Sequence, residues 1–193
     1  AARQGKTAID RQDLEEAATK EKLGSQRKRM QSEEDRKLAA YHEAGHAVVG
    51  HFLKYVDPVH RISIVARGIS VGHTLFPPTE DRTNETSQRL RQQLSAALGG
   101  RAAEEVVFKD FSTGAASDIE IATNLARQMG MQYGMSGLGP ISLQGRPMFG
   151  IWRGLDEGEG MSEEMHSAVD REVRKIMDSA YKQALVLIGK HRI

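Results

Sequence analysis

The segment His42-Glu43-Ala44-Gly45-His46 places two histidines four positions apart. On an α-helix, residues at this spacing lie on one face, one turn above each other. Two neutral imidazoles can then bind one Zn²⁺, with ring nitrogens about 2.0–2.1 Å from the metal. Glu43, beside the first histidine, is a candidate general base for a water molecule at that metal. The alternative is an ordinary amphipathic helix with two polar-facing histidines.

The residues around this segment have the pattern of a helix. Ser32 can cap its N-terminus, and Asp35, three residues later, completes a capping box. Pro58 lies beyond any plausible end. Apolar or small residues recur at helical spacing at Leu38, Tyr41, Gly45, Val48, Val49 and Phe52. This context favours the zinc interpretation.

Length and composition restrict the classes of function. The 193 residues can hold one good-sized domain, or one domain and a fragment of another. The formal net charge is only +1, so no nucleic-acid partner is predicted. The chain has no cysteine, which leaves histidine and carboxylates as metal ligands. No apolar run approaches the roughly 20 residues that span a bilayer, and no signal peptide is present; we expect a soluble fragment without direct membrane contact.

Residues 1–31 predict a short helix and a basic connector. Asp10 can cap the helix, and Gly24 ends its thin apolar stripe. The connector at 26–29 is interpreted as a solvated linker, with a phosphate or membrane contact as the alternative. Farther on, residues 61–67 and 69–76 predict two strands of a small sheet. His73, on the second strand, could approach a metal or simply pack.

A long helix is predicted over residues 86–108. Its apolar face continues through Arg101, Glu104 and Glu105. Buried charges are costly unless they are paired or bind a metal. An Arg101–Glu105 pair and a carboxylate directed at the zinc site are both consistent with this pattern.

The third metal ligand decides the class of zinc site. Val49 and Phe52 stand where a metzincin requires glycine and histidine, so that class is excluded. Glu104 or Glu105 would give a thermolysin-like site. Asp118 lies in the first turn of a helix, with Ser117 and Glu120 as a capping-box pattern. The helix dipole there favours an ionised carboxylate, which is also ordinary helix chemistry.

The last third of the chain contributes loops and one helix. Residues 134–160 are rich in glycine, predict loops around short segments at 141–143 and 149–152, and lack any phosphate-binding glycine motif. A final helix is predicted from the Ser162 cap to Gly189.

Four motifs together make the sequence recognisable. They are residues 40–47 (AYHEAGHA), 98–105 (LGGRAAEE), 112–115 (STGA) leading to Asp118, and 122–129 (ATNLARQM) with 133–136 (YGMS). Over residues 30–190, the chain resembles the protease domain of the FtsH-type membrane-anchored, ATP-dependent zinc metalloproteases.

This resemblance implies a role for each site residue. His42, His46 and Asp118 would be the zinc ligands, and Glu43 the catalytic base. Glu104 would hold a ligand histidine in the required tautomer and orientation. The implied fold is a mainly α-helical, ring-forming protease domain with a small β-sheet at residues 32–193, truncated at its C-terminus. Residues 1–31 would be the tail and linker of a preceding ATPase lid domain.

The resemblance also implies a function and partners. The chain would be the zinc endopeptidase part of a homo-hexameric protease that degrades unfolded or membrane proteins. ATP would bind only in the ATPase domain of the parent chain. Membrane segments would anchor the parent in a bacterial inner membrane or a mitochondrial or chloroplast membrane. The alternative is a non-catalytic, zinc-stabilised assembly subunit, against which the intact Glu43 argues.

Overall fold

The computed structural model describes residues 5–25, 32–66, 72–143 and 161–191. Within these ranges the chain is mainly helical with one small antiparallel sheet, as predicted. The elements are α1 (Arg11–Leu23), α2 (Glu33–His51), β1 (Arg61–Ser63), β2 (His73–Leu75), α3 (Ser87–Ala97), α4 (Gly99–Phe108), a 3₁₀ turn (Thr113–Ala115), α5 (Ala116–Met131) and α6 (Glu163–Lys190).

Helix α2 begins at the predicted capping box. The Ser32 hydroxyl accepts a hydrogen bond from the Asp35 N–H at 3.0 Å, and the Asp35 carboxylate accepts from the Ser32 N–H at 3.4 Å. Three acidic residues in the first turn are favourable to the helix dipole. The face that carries the two histidines is buried along Ala39, His42, Glu43, Gly45, His46, Ala47, Val49 and Gly50. The zinc motif therefore lies inside the fold.

The helices enclose two hydrophobic cores, and α6 contributes to both. The first core joins α3, α5 and α6 around fully buried Leu94 and Met129. The second joins α2, α4, the end of α3 and α6 around Val49 and Ala184, both fully buried. The heptad-like apolar spacing of α6 explains this double role, because a 28-residue helix is about 42 Å long and reaches past both groups.

The prediction of one long helix over residues 86–108 is wrong, because the chain turns at Leu98 between α3 and α4. Here α4 meets α2 backbone to backbone. A Cβ atom on Gly45 would lie 2.3 Å from the Gly99 carbonyl oxygen, and one on Gly99 would lie 2.7 Å from that of Gly45. The close crossing is possible only because both residues are glycine.

The sheet is shorter than predicted. β1 pairs with β2 so that Ile62 lies opposite Thr74, and the first predicted strand ends at Ser63. Residues 67–71, which include the end of the first predicted strand and the start of the second, lie outside the described ranges. The outer side of β1 is tied to α1, since the Arg61 guanidinium pairs with Glu15 and donates to the Thr19 hydroxyl.

The prediction of a capping box at Ser117 and Glu120 is also wrong. The Ser112 hydroxyl caps the 3₁₀ turn, and α5 begins at Ala116, so Ser117 and Glu120 lie within the helix and form no capping box. Asp118 remains in its first turn. Residues 134–140 form loops as predicted, but the short segment predicted at 141–143 has no regular secondary structure. The segment at 149–152 lies outside the described ranges, and α6 continues past Gly189 to Lys190.

Within the described ranges, no helix combines the length and the apolarity needed to cross a membrane.

Candidate metal centre

Three side-chain atoms converge at the crossing of α2, α4 and the start of α5. The His42 Nε2 atom lies 3.0 Å from His46 Nε2 and 3.0 Å from an Asp118 oxygen. His46 Nε2 lies 3.4 Å from the same oxygen. Both histidines are buried, and Asp118 is partly buried. The structure thus brings together residues that are 76 positions apart in the sequence.

The hydrogen bonds of the two Nδ1 atoms determine which nitrogen of each imidazole carries the proton. His46 Nδ1 lies 2.8 Å from the carbonyl oxygen of Ala96, which can only accept. His42 Nδ1 lies 2.7 Å from a carboxylate oxygen of Glu104. Each Nδ1 is therefore the donor, and in the neutral rings each Nε2 presents a lone pair. Together with Asp118, three acceptors then face one point, an arrangement that a bound cation, or a proton on one Nε2, stabilises.

The separations fit zinc. Ligand atoms placed tetrahedrally at about 2.0–2.1 Å from one ion lie roughly 3.3–3.4 Å apart. The separations of 3.0, 3.0 and 3.4 Å are at or slightly below this value. Two neutral imidazoles and a carboxylate are also a common donor set for catalytic zinc, which leaves a fourth position for water or substrate. The residues present therefore fit a zinc ion.

The pKa shifts of His42 and Asp118 also show that the centre favours positive charge. Burial alone would lower the pKa of His42, but its hydrogen bonds to Asp118 and Glu104 outweigh this and raise the pKa. Burial would raise the pKa of Asp118, yet the two histidines hold it at about 2. The ionised aspartate is the form that binds a metal.

Glu104 lies behind the centre rather than in it. It is almost fully buried, and its two oxygens have separate partners. One accepts from His42 Nδ1 at 2.7 Å, and the other accepts from the Ser112 N–H at 2.6 Å. Both oxygens thus point away from the convergence point, unlike a thermolysin-like ligand. Asp118 alone among the candidate carboxylates reaches it.

Glu105, the glutamate next to Glu104, makes a different contact. The Arg101–Glu105 ion pair, one of the two alternatives from the sequence, is absent from the described part of the chain. Glu105 instead accepts a hydrogen bond from the Tyr181 hydroxyl, and the Arg101 guanidinium stacks 3.9 Å from the ring centroid of Phe111. Helix α6 and the loop before the 3₁₀ turn supply these partners, which explains why local spacing failed to predict them.

Glu43 occupies the position of a base beside the centre. It follows His42 on α2, is buried, and has a raised pKa because burial disfavours its charge. Its carboxylate accepts a hydrogen bond of 2.7 Å from the Thr74 hydroxyl on β2. The role of Thr74 was not predicted from sequence, since it acts over 31 positions and belongs to no quoted motif. Ser112 belongs to the motif at residues 112–115, but its bond to Glu104 was not predicted either.

A cleft of about 1120 Å³ opens onto these groups. Its walls include the three converging residues, Glu43 and Glu104, with apolar surface from Leu38, Val56, Phe76 and Ile121. His73 is buried in the same wall but lies outside the converging group. The cleft is large enough for a stretch of extended polypeptide.

Comparison with known proteins agrees with this geometry. The model of peptidase family M41 matches residues 29–193. The chain is 44% identical over 194 residues to the "ATP-dependent zinc metalloprotease FtsH 1" of Sphaerobacter thermophilus, covering 99% of this chain and 30% of the relative. It is 47% identical over 196 residues to the "ATP-dependent zinc metalloprotease FtsH" of Pseudothermotoga lettingae, covering 99% of this chain and 31% of the relative.

A third relative, the "ATP-dependent zinc metalloprotease FtsH" of Thermobaculum terrenum, is 45% identical over 195 residues, covering all of this chain and 30% of the relative. The chain thus spans about 30% of the length of these curated relatives. The family match covers the metal centre, the helices that build it and α6. The chain belongs to peptidase family M41.

Proposed function

We propose that the chain is the zinc endopeptidase domain of an ATP-dependent protease. The observation that carries this proposal is the convergence of two imidazole lone pairs and one carboxylate within 3.0–3.4 Å, with the Glu43 carboxylate beside them. The family match and the printed names of its relatives support the same chemistry. His42, His46 and Asp118 are the proposed zinc ligands.

The chain's own groups divide the reaction between them. When bound, Zn²⁺ supplies Lewis acidity, which lowers the pKa of a water molecule towards about 7 and polarises a carbonyl group. Glu43 takes a proton from the attacking water and delivers it to the leaving amine. The raised pKa of Glu43 makes its carboxylate a better proton acceptor near neutral pH.

Two hydrogen bonds orient the ligand histidines for this role. Glu104 holds His42 Nδ1, and the Ala96 carbonyl holds His46 Nδ1, so both Nε2 lone pairs face the metal. Such outer hydrogen bonds fix the tautomer and ring orientation of the ligands. Glu104 therefore acts through His42 and needs no contact with the metal.

We further propose that the substrate is an unfolded polypeptide bound along β2. In the described part of the chain, β1 pairs with one edge of β2, and no strand covers the other. An extended peptide can add to such an edge through main-chain hydrogen bonds. Thr74 of this strand contacts Glu43, which places the edge beside the proposed base.

The remaining proposals concern the parent protein. Residues 1–31 would be the tail and linker of an ATPase lid, and residues 32–193 the protease domain. The parent would be a membrane-anchored homo-hexamer whose ATPase domain feeds substrates to the cleft. Its relatives are named ATP-dependent proteases, and this chain spans about 30% of their length, which leaves room for such a domain. Light scattering that shows only monomers at high concentration would contradict a self-sufficient ring interface.

The substitution Glu43→Gln tests the proposed chemistry. It removes the base and keeps both histidines, so bound zinc should remain while hydrolysis of an unstructured peptide falls about 10²–10⁴-fold. Glu34→Gln is the matched control, because it makes the same change at an exposed site on α2. Near-normal turnover by Glu43→Gln would refute the mechanism. A zinc-loaded wild-type chain that cleaves nothing would favour the non-catalytic assembly subunit.

A further inference from the structure

We propose that Thr74 is the positioning residue for Glu43, fixing the rotation of its carboxylate relative to the metal centre. This inference rests on the proposed function, in which Glu43 is the base. It assigns to β2 a second role besides binding an extended substrate. A strand that is separated from α2 by more than 20 residues thereby controls the geometry of a group on that helix.

The hydrogen bond from Thr74 is the direct evidence. Its hydroxyl oxygen lies 2.7 Å from Glu43 Oε2 and 3.0 Å from the Glu43 main-chain carbonyl oxygen. A hydroxyl has one proton, and a bond to a charged carboxylate is the stronger choice. In the described part of the chain, this hydroxyl is the one group that donates to the Glu43 side chain.

The backbone of the same segment limits the other carboxylate oxygen. Gly72, immediately before β2, approaches so closely that a Cβ atom there would lie 2.7 Å from Glu43 Oε1 and 2.8 Å from its Cγ. Residues two apart on an extended chain face the same side. Gly72 and Thr74 therefore act on one carboxylate, the first by bringing the backbone close and the second by a hydrogen bond.

The position of Thr74 is itself well defined. Thr74 lies opposite Ile62 in the ladder with β1, and the His60 N–H donates to the carbonyl of the next residue, Leu75, at 2.9 Å. A side chain on a paired strand holds its hydroxyl more precisely than one on a free loop. Misplacement of a catalytic group by about 1 Å can cost 10²-fold in rate. The structure thus gives this single hydroxyl a measurable role.

The test compares Thr74→Val with Thr74→Ser in the zinc-loaded chain. Valine keeps the shape and removes the donor, whereas serine keeps the donor. For Thr74→Val we expect kcat on an unstructured peptide to fall about 10–100-fold, with KM and zinc content unchanged. Thr74→Ser should retain most of the wild-type kcat. A structural role alone would instead lower the thermal unfolding temperature and zinc content of both variants.

A second readout does not depend on turnover. A dipeptide hydroxamate binds the metal and presents an O–H to the base, so its Kd reports the carboxylate's position. Calorimetry should show about 10-fold weaker binding to Thr74→Val than to wild type or Thr74→Ser. In the Glu43→Gln background, Thr74→Val should add little, because both changes act through one group.

Three results would overturn the proposal. They are wild-type kcat and hydroxamate affinity in Thr74→Val, an equal loss in Thr74→Ser, and full additivity with Glu43→Gln. Failure of the proposed function has a different signature, since the wild-type chain itself would then bind no zinc or cleave no peptide. If it binds zinc without cleaving, the hydroxamate series still decides the role of Thr74.

Discussion

Replacing Gly45 with alanine should separate the two helices that carry the metal centre. A Cβ atom at this position would lie 2.3 Å from the Gly99 carbonyl oxygen and 2.6 Å from the Ala103 Cβ atom. Both contacts belong to main chain or to a Cβ atom fixed by it, so no side-chain rotation relieves them. Helix α4 must therefore move away from α2.

The size of this movement follows from the contact distance. Ordinary van der Waals contact is reached near 3.4 Å, so the helices must separate by about 1 Å. The same separation, directed along the 2.7 Å bond between Glu104 and His42 Nδ1, would lengthen it to about 3.7 Å, beyond hydrogen-bonding range. Overpacking of this kind costs about 1–3 kcal/mol of stability. Loss of the Glu104 contact should weaken zinc binding about 10–100-fold.

Two measurements check these values. Urea unfolding of the metal-free proteins gives the change in free energy, and competition with a chelator gives the zinc affinity. Gly189→Ala is the matched control, because it makes the same change on α6, where a Cβ atom would meet nothing within 4 Å. That control should be unchanged or more stable by up to about 1 kcal/mol.

The reasoning would be refuted if Gly45→Ala matched wild type in both measurements. A loss of stability with full retention of zinc affinity would show that the contact is tight but not coupled to Glu104. Such a result would reject the link between helix spacing and metal binding, while leaving the overpacking argument intact.

Two further predictions concern carboxylates. Asp118→Asn should leave a largely metal-free, inactive protein, whereas Glu104→Gln should keep measurable zinc with about 10–100-fold weaker affinity. Zinc stoichiometry after dialysis against a weak chelator measures the difference. If Glu104→Gln lost its zinc and Asp118→Asn kept it, Glu104 would be the ligand. Burial would raise the pKa of Asp57, but hydrogen bonds from Arg82 and Arg89 lower it. The free energy of unfolding of wild type should therefore exceed that of Asp57→Asn by about 1–3 kcal/mol above pH 4. This advantage should shrink as the pH falls through the lowered pKa of Asp57. A difference in free energy that persists unchanged at pH 2 would contradict the assignment.

Helix caps and hydrophobic periodicity predicted most of the helices well, because these signals act within one or two helical turns. The caps at Asp10, Ser32 and Ser162 all lie where the sequence placed them. The turn at Leu98 was missed, although it immediately precedes the residue, Gly99, that packs against Gly45 more than 50 positions away. A helical pattern that contains two adjacent glycines is a signal that could have indicated the break.

The same distinction between local and long-range signals applies to the residues of the candidate site. The histidine pair is visible because both residues lie one helical turn apart. Sequence pattern made Asp118 and Glu104 candidates, and the resemblance to a known family assigned their separate roles. The contacts that sequence reasoning missed are those of the Thr74 hydroxyl, the Ala96 carbonyl and the Ser112 N–H, although Ser112 belongs to a quoted motif. Each depends on how separate elements pack, and a single sequence carries no periodic signal for such contacts.

The division of the helices between two hydrophobic cores has a mechanical consequence. His42 and His46 belong to the half built on α2 and α4, whereas Asp118 belongs to the half built on α5. A metal ion held by all three therefore adds a cross-link between groups of helices that are otherwise joined through α3 and α6, since Leu94 of α3 packs in the first core and Ala96 of α3 packs in the second. Removing the ion should leave both cores packed and release the start of α5 from α2, so that the cleft widens without local melting.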